Sequence, residues 1–291
     1  TLLVRATYTD DADAVPKLHY GLWLYDLATK SYKACLNTLI AGSAQAAKTI
    51  DVLSATVVGT EADPIYVAQT QSKSGASASQ MAWLQGSSVD ANVLATTLGE
   101  DLGIRVDRYS VSADGRFLAI QTDSSALAPD KFPDTNDSAD IYLIDLLTKK
   151  VERVSFVSGA EVMAPVTLGN VIVVDDTVQV TFATTAAFKS TDTNSTLTDP
   201  TDVYVWTKSF DQTGLKGQAT FTLISQNTLG KAAGFVATDT AFGSTDRGVV
   251  FNSTASDLVS SDTNAAGDVF FRASDGTLTR LRLTGFAQLS S

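Results

Sequence analysis

An aromatic residue inside a short alternating strand returns at a near-constant interval: Trp23, Trp83, Tyr142, Tyr204 and Phe270 stand 60, 59, 62 and 66 residues apart. A period sustained along a whole chain restricts the fold to an array of like units, each burying its apolar face against the next. Three of these strands run into tight turns written Asp26-Leu27-Ala28-Thr29-Lys30, Asp145-Leu146-Leu147-Thr148-Lys149 and Ser274-Asp275-Gly276. Asp, Thr and Gly there supply turn chemistry. Ahead of the aromatic strand, four units carry a second hairpin, turning at Glu61-Ala62-Asp63-Pro64, Ser112-Ala113-Asp114-Gly115, Asp175-Asp176-Thr177 and Ser244-Thr245-Asp246-Arg247. Four strands in roughly 60 residues match a propeller blade, since solenoid repeats are shorter and sandwiches lack a sustained period. The chain therefore reads as all-β: one domain, 1–291, forming a five-bladed β-propeller of four-stranded antiparallel blades. The blades fall near 285–291 with 1–36, 50–97, 105–156, 168–226 and 234–283.

The first unit lacks an inner strand, because Leu2-Leu3-Val4-Arg5-Ala6 already corresponds to the second strand of the others. Phe286-Ala287-Gln288-Leu289 is placed to pair beside it. Pairing of the N- and C-terminal strands would close the ring and remove the sheet edges that invite aggregation. The alternative is a piece cut from a longer ring.

The acids fit this class. Only Glu61, Glu100, Glu152 and Glu161 are glutamates among 32 acidic residues, and aspartate favours turns where glutamate favours helix interiors. An excess of 32 acids over 21 Lys plus Arg argues against nucleic acid or an anionic membrane surface as partner. No apolar run is long enough for a membrane-inserted helix, and the start at Thr1 without a leader reads as a mature or excised piece. Cys35 has no second cysteine to pair with and reads as a small buried apolar residue.

Ser112-Ala113-Asp114-Gly115-Arg116-Phe117-Leu118-Ala119, followed by Asp140-Ile141-Tyr142-Leu143-Ile144-Asp145 and Val151-Glu152-Arg153-Val154-Ser155, resembles the WD40-like repeat of TolB-type bacterial propellers. The likeness is clear in the third and fifth units, partial in the fourth and weak in the first two. It implies a propeller fold; for function it implies little, because such propellers serve as peptide-binding modules, enzyme accessories and parts of large surface proteins.

Three units share an acidic motif. Asp134-Thr135-Asn136 leads to Asp140, Asp192-Thr193-Asn194 to Asp202, and Asp262-Thr263-Asn264 to Asp268. Residues two apart in an extended segment project the same way, so Asp134 and Asn136 offer oxygens to one side and Asp140 returns to meet them. Calcium takes six to eight such oxygens. The expectation is up to three structural Ca²⁺ ions, held by Asp134, Asn136 and Asp140; by Asp192, Asn194 and Asp202; and by Asp262, Asn264 and Asp268. The fourth unit inserts four residues before Asp202, where Asp199 can substitute. The same residues also serve as plain Asx-turns, but three at equivalent positions, each ending in Asp, favour the metal.

Catalytic constellations are scarce. His19 is the sole histidine, so multi-histidine metal sites are excluded, and it reads as a loop residue rather than a catalyst. No nucleophile elbow or phosphate-cradling glycine loop is present. A glycan-active enzyme needs acids near the channel mouth, where only Asp51, Asp107 and Asp239 sit. The recurring aromatics read as packing between sheets. Departures from the repeat are better interaction candidates: the hairpin from Lys208 to Gly217, with Phe210 and Leu215 in a polar loop, and the Ala-rich insertion from Asn37 to Lys48, read as a short helix. The functional expectation is a non-catalytic, calcium-stabilised binding or scaffold module of a bacterial secreted or cell-surface protein, with a periplasmic location as alternative. Its partner is a protein or glycan ligand or other parts of a surface assembly. Extracellular placement rests on the inferred calcium use. The competing readings are a lectin-like glycan or peptide receptor, and the glycan-active enzyme.

Overall fold

The computed structural model describes residues 2–9, 18–41, 50–60, 63–72, 79–85, 88–90, 104–127, 134–136, 138–157, 160–192, 201–227, 229–230, 243–260, 262 and 266–281. Among them the regular structure is almost wholly β, in sheets whose neighbouring strands are consecutive in the chain. The first sheet holds β1 (Leu2–Thr9), β2 (Leu18–Asp26) and β3 (Ser31–Cys35), followed by a helix α1 (Leu36–Ala41). The second holds β4 (Ile50–Gly59), β5 (Pro64–Ser72), β6 (Ser79–Gln85) and β7 (Ser88–Asp90). The third holds β8 (Arg108–Val111), β9 (Phe117–Thr122), β10 (Asp140–Asp145) and β11 (Lys150–Arg153).

A ribbon of β12 (Phe156–Val157) and β13 (Ala160–Glu161) comes next, a hairpin too short to register in the repeat. The fourth sheet holds β14 (Val166–Val174), β15 (Thr177–Thr184), β16 (Asp202–Asp211) and β17 (Gly214–Leu223). The fifth holds β18 (Gly243–Thr245), β19 (Gly248–Ser253), β20 (Asp268–Ala273) and β21 (Leu278–Leu281). Four of the sheets are four-stranded and the first is three-stranded. The candidate closing strand, 286–289, lies outside the described residues.

Contacts divide the chain into two compact units. One comprises Thr1–Pro129 with Leu143–Glu152, the other Asp130–Tyr142 with Arg153–Ser291. In the first unit, Leu22, Leu24, Leu36, Ile40, Val52, Ala68, Ala82 and Leu84 form one core cluster, so α1 seals the first sheet against the second. The second sheet is tied onward by Gly59 N donating to Ala113 O at 2.8 Å and Gln69 Nε2 donating to Val106 O at 2.6 Å. Gly115 has φ of 74°, and a Cβ there would meet Ile65 Cδ1 at 2.3 Å. Only glycine satisfies both the turn and the approach.

In the second unit, Val203, Val205 and Ile224 pack with Val249, Phe251, Leu258 and Phe270. The fourth and fifth sheets are also joined by Asn170, whose Oδ1 accepts from Ser244 N at 2.7 Å while its Nδ2 donates to Ser244 O at 2.9 Å.

The aromatics behave as packing residues where the repeat is strongest. Tyr142, Tyr204 and Phe270 are fully buried, with Phe251 stacked on Phe270 at 5.7 Å and Phe182 on Tyr204 at 5.8 Å. Aspartates close the hairpins as expected: Asp26 Oδ1 accepts from Ala28 N and Thr29 N at 2.8 and 3.1 Å, and Asp145 Oδ1 from Leu147 N and Thr148 N at 3.0 and 3.3 Å.

Three expectations need correction. His19 is not in a loop: it stands within β2 opposite Tyr8, because Leu18-His19-Tyr20 continues the β-rich run that follows. Lys208 to Gly217 is not an enlarged loop either. The strands themselves are longer, Phe210 pairs with Leu215, and only Gln212 and Thr213 form the turn. Apolar residues in that stretch are strand positions, not loop decoration. Cys35 is half-buried rather than buried, ending β3 with Sγ 3.9 Å from Asn37 Oδ1. The helix expected after Asn37 does form as α1, beginning at Leu36; residues 42–49 lie outside the described residues.

Candidate functional site

The acidic motifs stand at the entrances of β10, β16 and β20, where the first residue of each strand is the closing aspartate. The third sheet carries the most complete set. Asp140 is 1% exposed. Its Oδ2 faces Arg153 Nη2, and its Oδ1 accepts from Ser155 Oγ. The same arginine nitrogen lies 3.5 Å from Asp134 Oδ1, and Tyr142 OH donates to Asp134 Oδ2 at 3.4 Å. Ser155 Oγ in turn accepts from Ile141 N at 3.1 Å, so one hydroxyl joins the strand entrance to the outer strand's exit.

Asp134 and Asp140 thus converge as the sequence implied, but they converge on a guanidinium. Asn136 points elsewhere. Its Nδ2 donates to Val162 O at 2.6 Å and its Oδ1 accepts from Ser138 N at 2.7 Å.

The fifth sheet repeats the theme with an altered cast. Arg280 Nη2 lies 2.6 Å from Asp268 Oδ2 and its Nη1 3.4 Å from Asp262 Oδ1. Arg280 in β21 and Arg153 in β11 occupy the same register, each one residue before the position that pairs with the residue after the closing aspartate. Phe270 stands where Tyr142 does, so no phenol reaches Asp262 from that position.

In the fourth sheet the phenol is kept and the arginine is not. Tyr204 OH donates to Asp192 Oδ2, Ser225 Oγ donates to Asp202 Oδ1, and the arginine's register position is Leu223. Ser225 Oγ accepts from Val203 N at 3.0 Å, as Ser155 does from Ile141. Asn194, Asn264 and Asp199 lie outside the described residues.

Burial raises both phenols well above their ordinary pKa. For Tyr204 the hydrogen bond to Asp192 adds to the effect; for Tyr142 the nearby Arg153 opposes it. Both stay protonated and donate. A hydroxyl donates to a carboxylate without bringing a counter-charge, whereas a guanidinium brings one.

The two arrangements differ in what they present to a dication. In the third and fifth sheets a fixed positive charge already stands against both acids, and a second cation beside it would be repelled. In the fourth sheet leucine leaves that position uncharged. Among the described residues, no group of three or more His, Cys, Asp or Glu is gathered as a metal site.

Of the three acids considered for a glycan-active enzyme, two are described. Asp51 lies in β4 opposite Gln71, Asp107 is ion-paired to Arg105 Nε at 3.1 Å on the surface, and Asp239 lies outside the described residues. The sequence reading missed Arg153, Arg280, Ser155 and Ser225. The serines had a signal, the shared ending of Arg153-Val154-Ser155 and Leu223-Ile224-Ser225, but nothing comparable marks Arg280, which is followed by Leu281-Arg282.

No family model matches the chain, and no curated protein does. Among solved structures the chain is similar to the β-propeller domain of the Trilobed protease from Pyrococcus furiosus, described as an open velcro topology, at 11% identity over 90% of this chain and 57% of that one, TM-score 0.42. TolB from Acinetobacter baumannii is matched at 12% identity over 96% of this chain and 68% of that one, TM-score 0.37. An ACO/RPE65 chimera is matched at 11% identity over 90% of this chain and 55% of that one, TM-score 0.41. The chain spans little more than half the length of the first and third of these.

Proposed function

We propose that the chain is a non-catalytic β-propeller serving as a binding or scaffold module of a bacterial secreted or cell-surface protein. On this reading each of the five sheets is a blade, residues 1–291 form one domain, and Phe286 to Leu289 supplies the missing inner strand beside β1. The observation that carries the non-catalytic reading is the use made of the repeated acids. Asp134, Asp140, Asp262 and Asp268 are committed to arginines of their own sheet, and Asp192 and Asp202 to hydroxyls of theirs. Acids spent on fastening strands are not poised to donate or abstract protons. Calcium, in this proposal, belongs to the fourth motif, with Asp192, Asp202 and the Asn194 loop as its ligands, while Arg153 and Arg280 stand in for the ion in the other two.

The test is a panel of polysaccharides and glycosides incubated with the protein, run beside a glycan and peptide array. Binding without product formation is the expected result. Product that disappears in Asp107→Ala or Asp239→Ala protein would replace this reading by the glycan-active enzyme.

A further inference from the structure

Between the fourth and fifth sheets, wholly within the second unit, lies a cavity of about 250 Å³. Its walls carry Gln179, Thr207 and Thr222 beside apolar Val205, and Arg272 of β20 contributes to its lining. Arg272 is 8% exposed. Its Nε donates to Ile224 O at 2.7 Å and its Nη1 to Gly276 O at 2.9 Å, and Nη2 donates to Gln226 O. These carbonyls occupy three of the five N–H groups that a guanidinium offers.

Arg272 differs from the buried Arg153 and the partly buried Arg116 and Arg280. Arg116 faces Asp145, Arg153 faces Asp134 and Asp140, and Arg280 faces Asp262 and Asp268. Arg272 forms no ion pair with any described carboxylate, and burial alone pulls its pKa below the ordinary arginine value. A guanidinium cannot shed its proton to escape the cost of burial. Among the described residues its charge meets carbonyl dipoles alone.

We infer that this cavity binds a small monocarboxylate on a hydroxylated stem, the class of a sugar acid, with Arg272 receiving the carboxylate. Three features select that class. One N–H remains on each terminal nitrogen of Arg272, the number that a carboxylate's two oxygens take. The side chains of Gln179, Thr207 and Thr222 offer donors and acceptors to hydroxyls, and a cavity of this size falls just below the range used for drug-sized ligands. Asp246, exposed at the wall, repels every anion and a doubly charged phosphate more than a monocarboxylate. The site lies inside one unit, so it does not depend on ring closure or on calcium.

The experiment is calorimetric titration of the full chain with glucuronate, glucuronamide, glucose and glucose 6-phosphate. Glucuronate is expected to bind, with the amide weaker by about tenfold or more, since hydrogen bonds to charged groups are the stronger ones. Arg272→Met should abolish the preference for acid over amide. That variant also loses three carbonyl contacts and can fail to fold, so Thr207→Val provides a second check: weaker glucuronate binding at unchanged melting temperature. Equal binding of acid and amide by the unaltered protein, tighter binding of the phosphate, or no binding of glucuronate each overturns the assignment.

Discussion

In the third sheet Asp134 and Asp140 meet Arg153, whereas in the fourth Asp192 and Asp202 meet Tyr204 and Ser225, and leucine stands in the arginine's register. Both sheets must admit two buried carboxylates where a loop enters a strand, and a buried charge is tolerated only when paired or well hydrogen-bonded. The third neutralises its acids with a cation built into the outer strand. The fourth gives each acid a hydroxyl and places leucine in the register where the third has its arginine. Since the sequence word is the same in both, the difference lies in the outer strand, where Arg153 follows Asp140 and Leu223 follows Asp202.

The largest expected effect follows from breaking the built-in pair. Arg153 is wholly buried and serves two acids, so Arg153→Leu, which copies the fourth sheet's residue, should destabilise the protein by about 3–5 kcal/mol. Urea denaturation measures it. A loss below about 1 kcal/mol would mean the acids are solvated or protonated without the arginine, and the contrast between the sheets would collapse.

Calcium comes next. If the fourth motif takes the ion, calcium at a hundredfold over its dissociation constant should add about 2.7 kcal/mol, read as a rise in melting temperature that EDTA reverses. Asp202→Asn should remove the response while Asp140→Asn leaves it. Leu223→Arg is the sharper reversal, because it gives the fourth sheet the third sheet's cation; the folded variant should no longer respond to calcium. Elemental analysis finding no calcium, with a melting temperature indifferent to chelator, ends the metal reading altogether.

Much of the architecture was legible because the repeat is written in apolar periodicity. Tyr142, Tyr204 and Phe270 sit at matching registers of their sheets, and the turn aspartates Asp26 and Asp145 close hairpins through their own backbone. The site was half legible. Asp134, Asp140, Asp262 and Asp268 do converge, but the sequence showed oxygen donors within a few residues of one another and not the arginine that a hairpin folds back across them. Such a partner is set by strand register, which a one-residue shift would reverse, and not by spacing along the chain. His19 and the Phe210–Leu215 pair were misplaced for a related reason: strand length was judged from turn residues, while cross-strand pairing extended the strands further.

A smaller effect separates the phenols. Tyr204→Phe takes the phenol donor from Asp192 and the acceptor from Phe188 N, 3.2 Å away, in a sheet with leucine at the arginine's register, and should cost about 2 kcal/mol. Tyr142→Phe removes a longer contact, 3.4 Å, from an acid that Arg153 also reaches, and should cost about half that. Equal losses in the two variants would show that the arginine does nothing for Asp134.

The smallest effect tests an arginine that fastens a turn and not a strand entrance. Burial pushes the Asp145 carboxyl up, but hydrogen bonds from Arg116 and Thr148, the Arg116 charge and the Leu147 amide outweigh it and hold the group below the usual aspartate range. Because the folded pKa is depressed, its stabilisation is complete above the unfolded value of about 3.9 and is lost as pH falls through that value toward the folded one. Arg116→Gln should therefore cost about 1 kcal/mol at pH 7, the low figure reflecting an arginine that is 11% exposed. The gap between variant and parent should narrow in urea midpoints taken from pH 5 downward, as protonation of Asp145 removes what the arginine was holding. A gap that stays constant over that window would assign the loss to packing of Arg116 over the Phe117 ring, where its guanidinium lies 5.0 Å from the centroid, and would set this turn arginine apart from the paired arginines of the strand entrances.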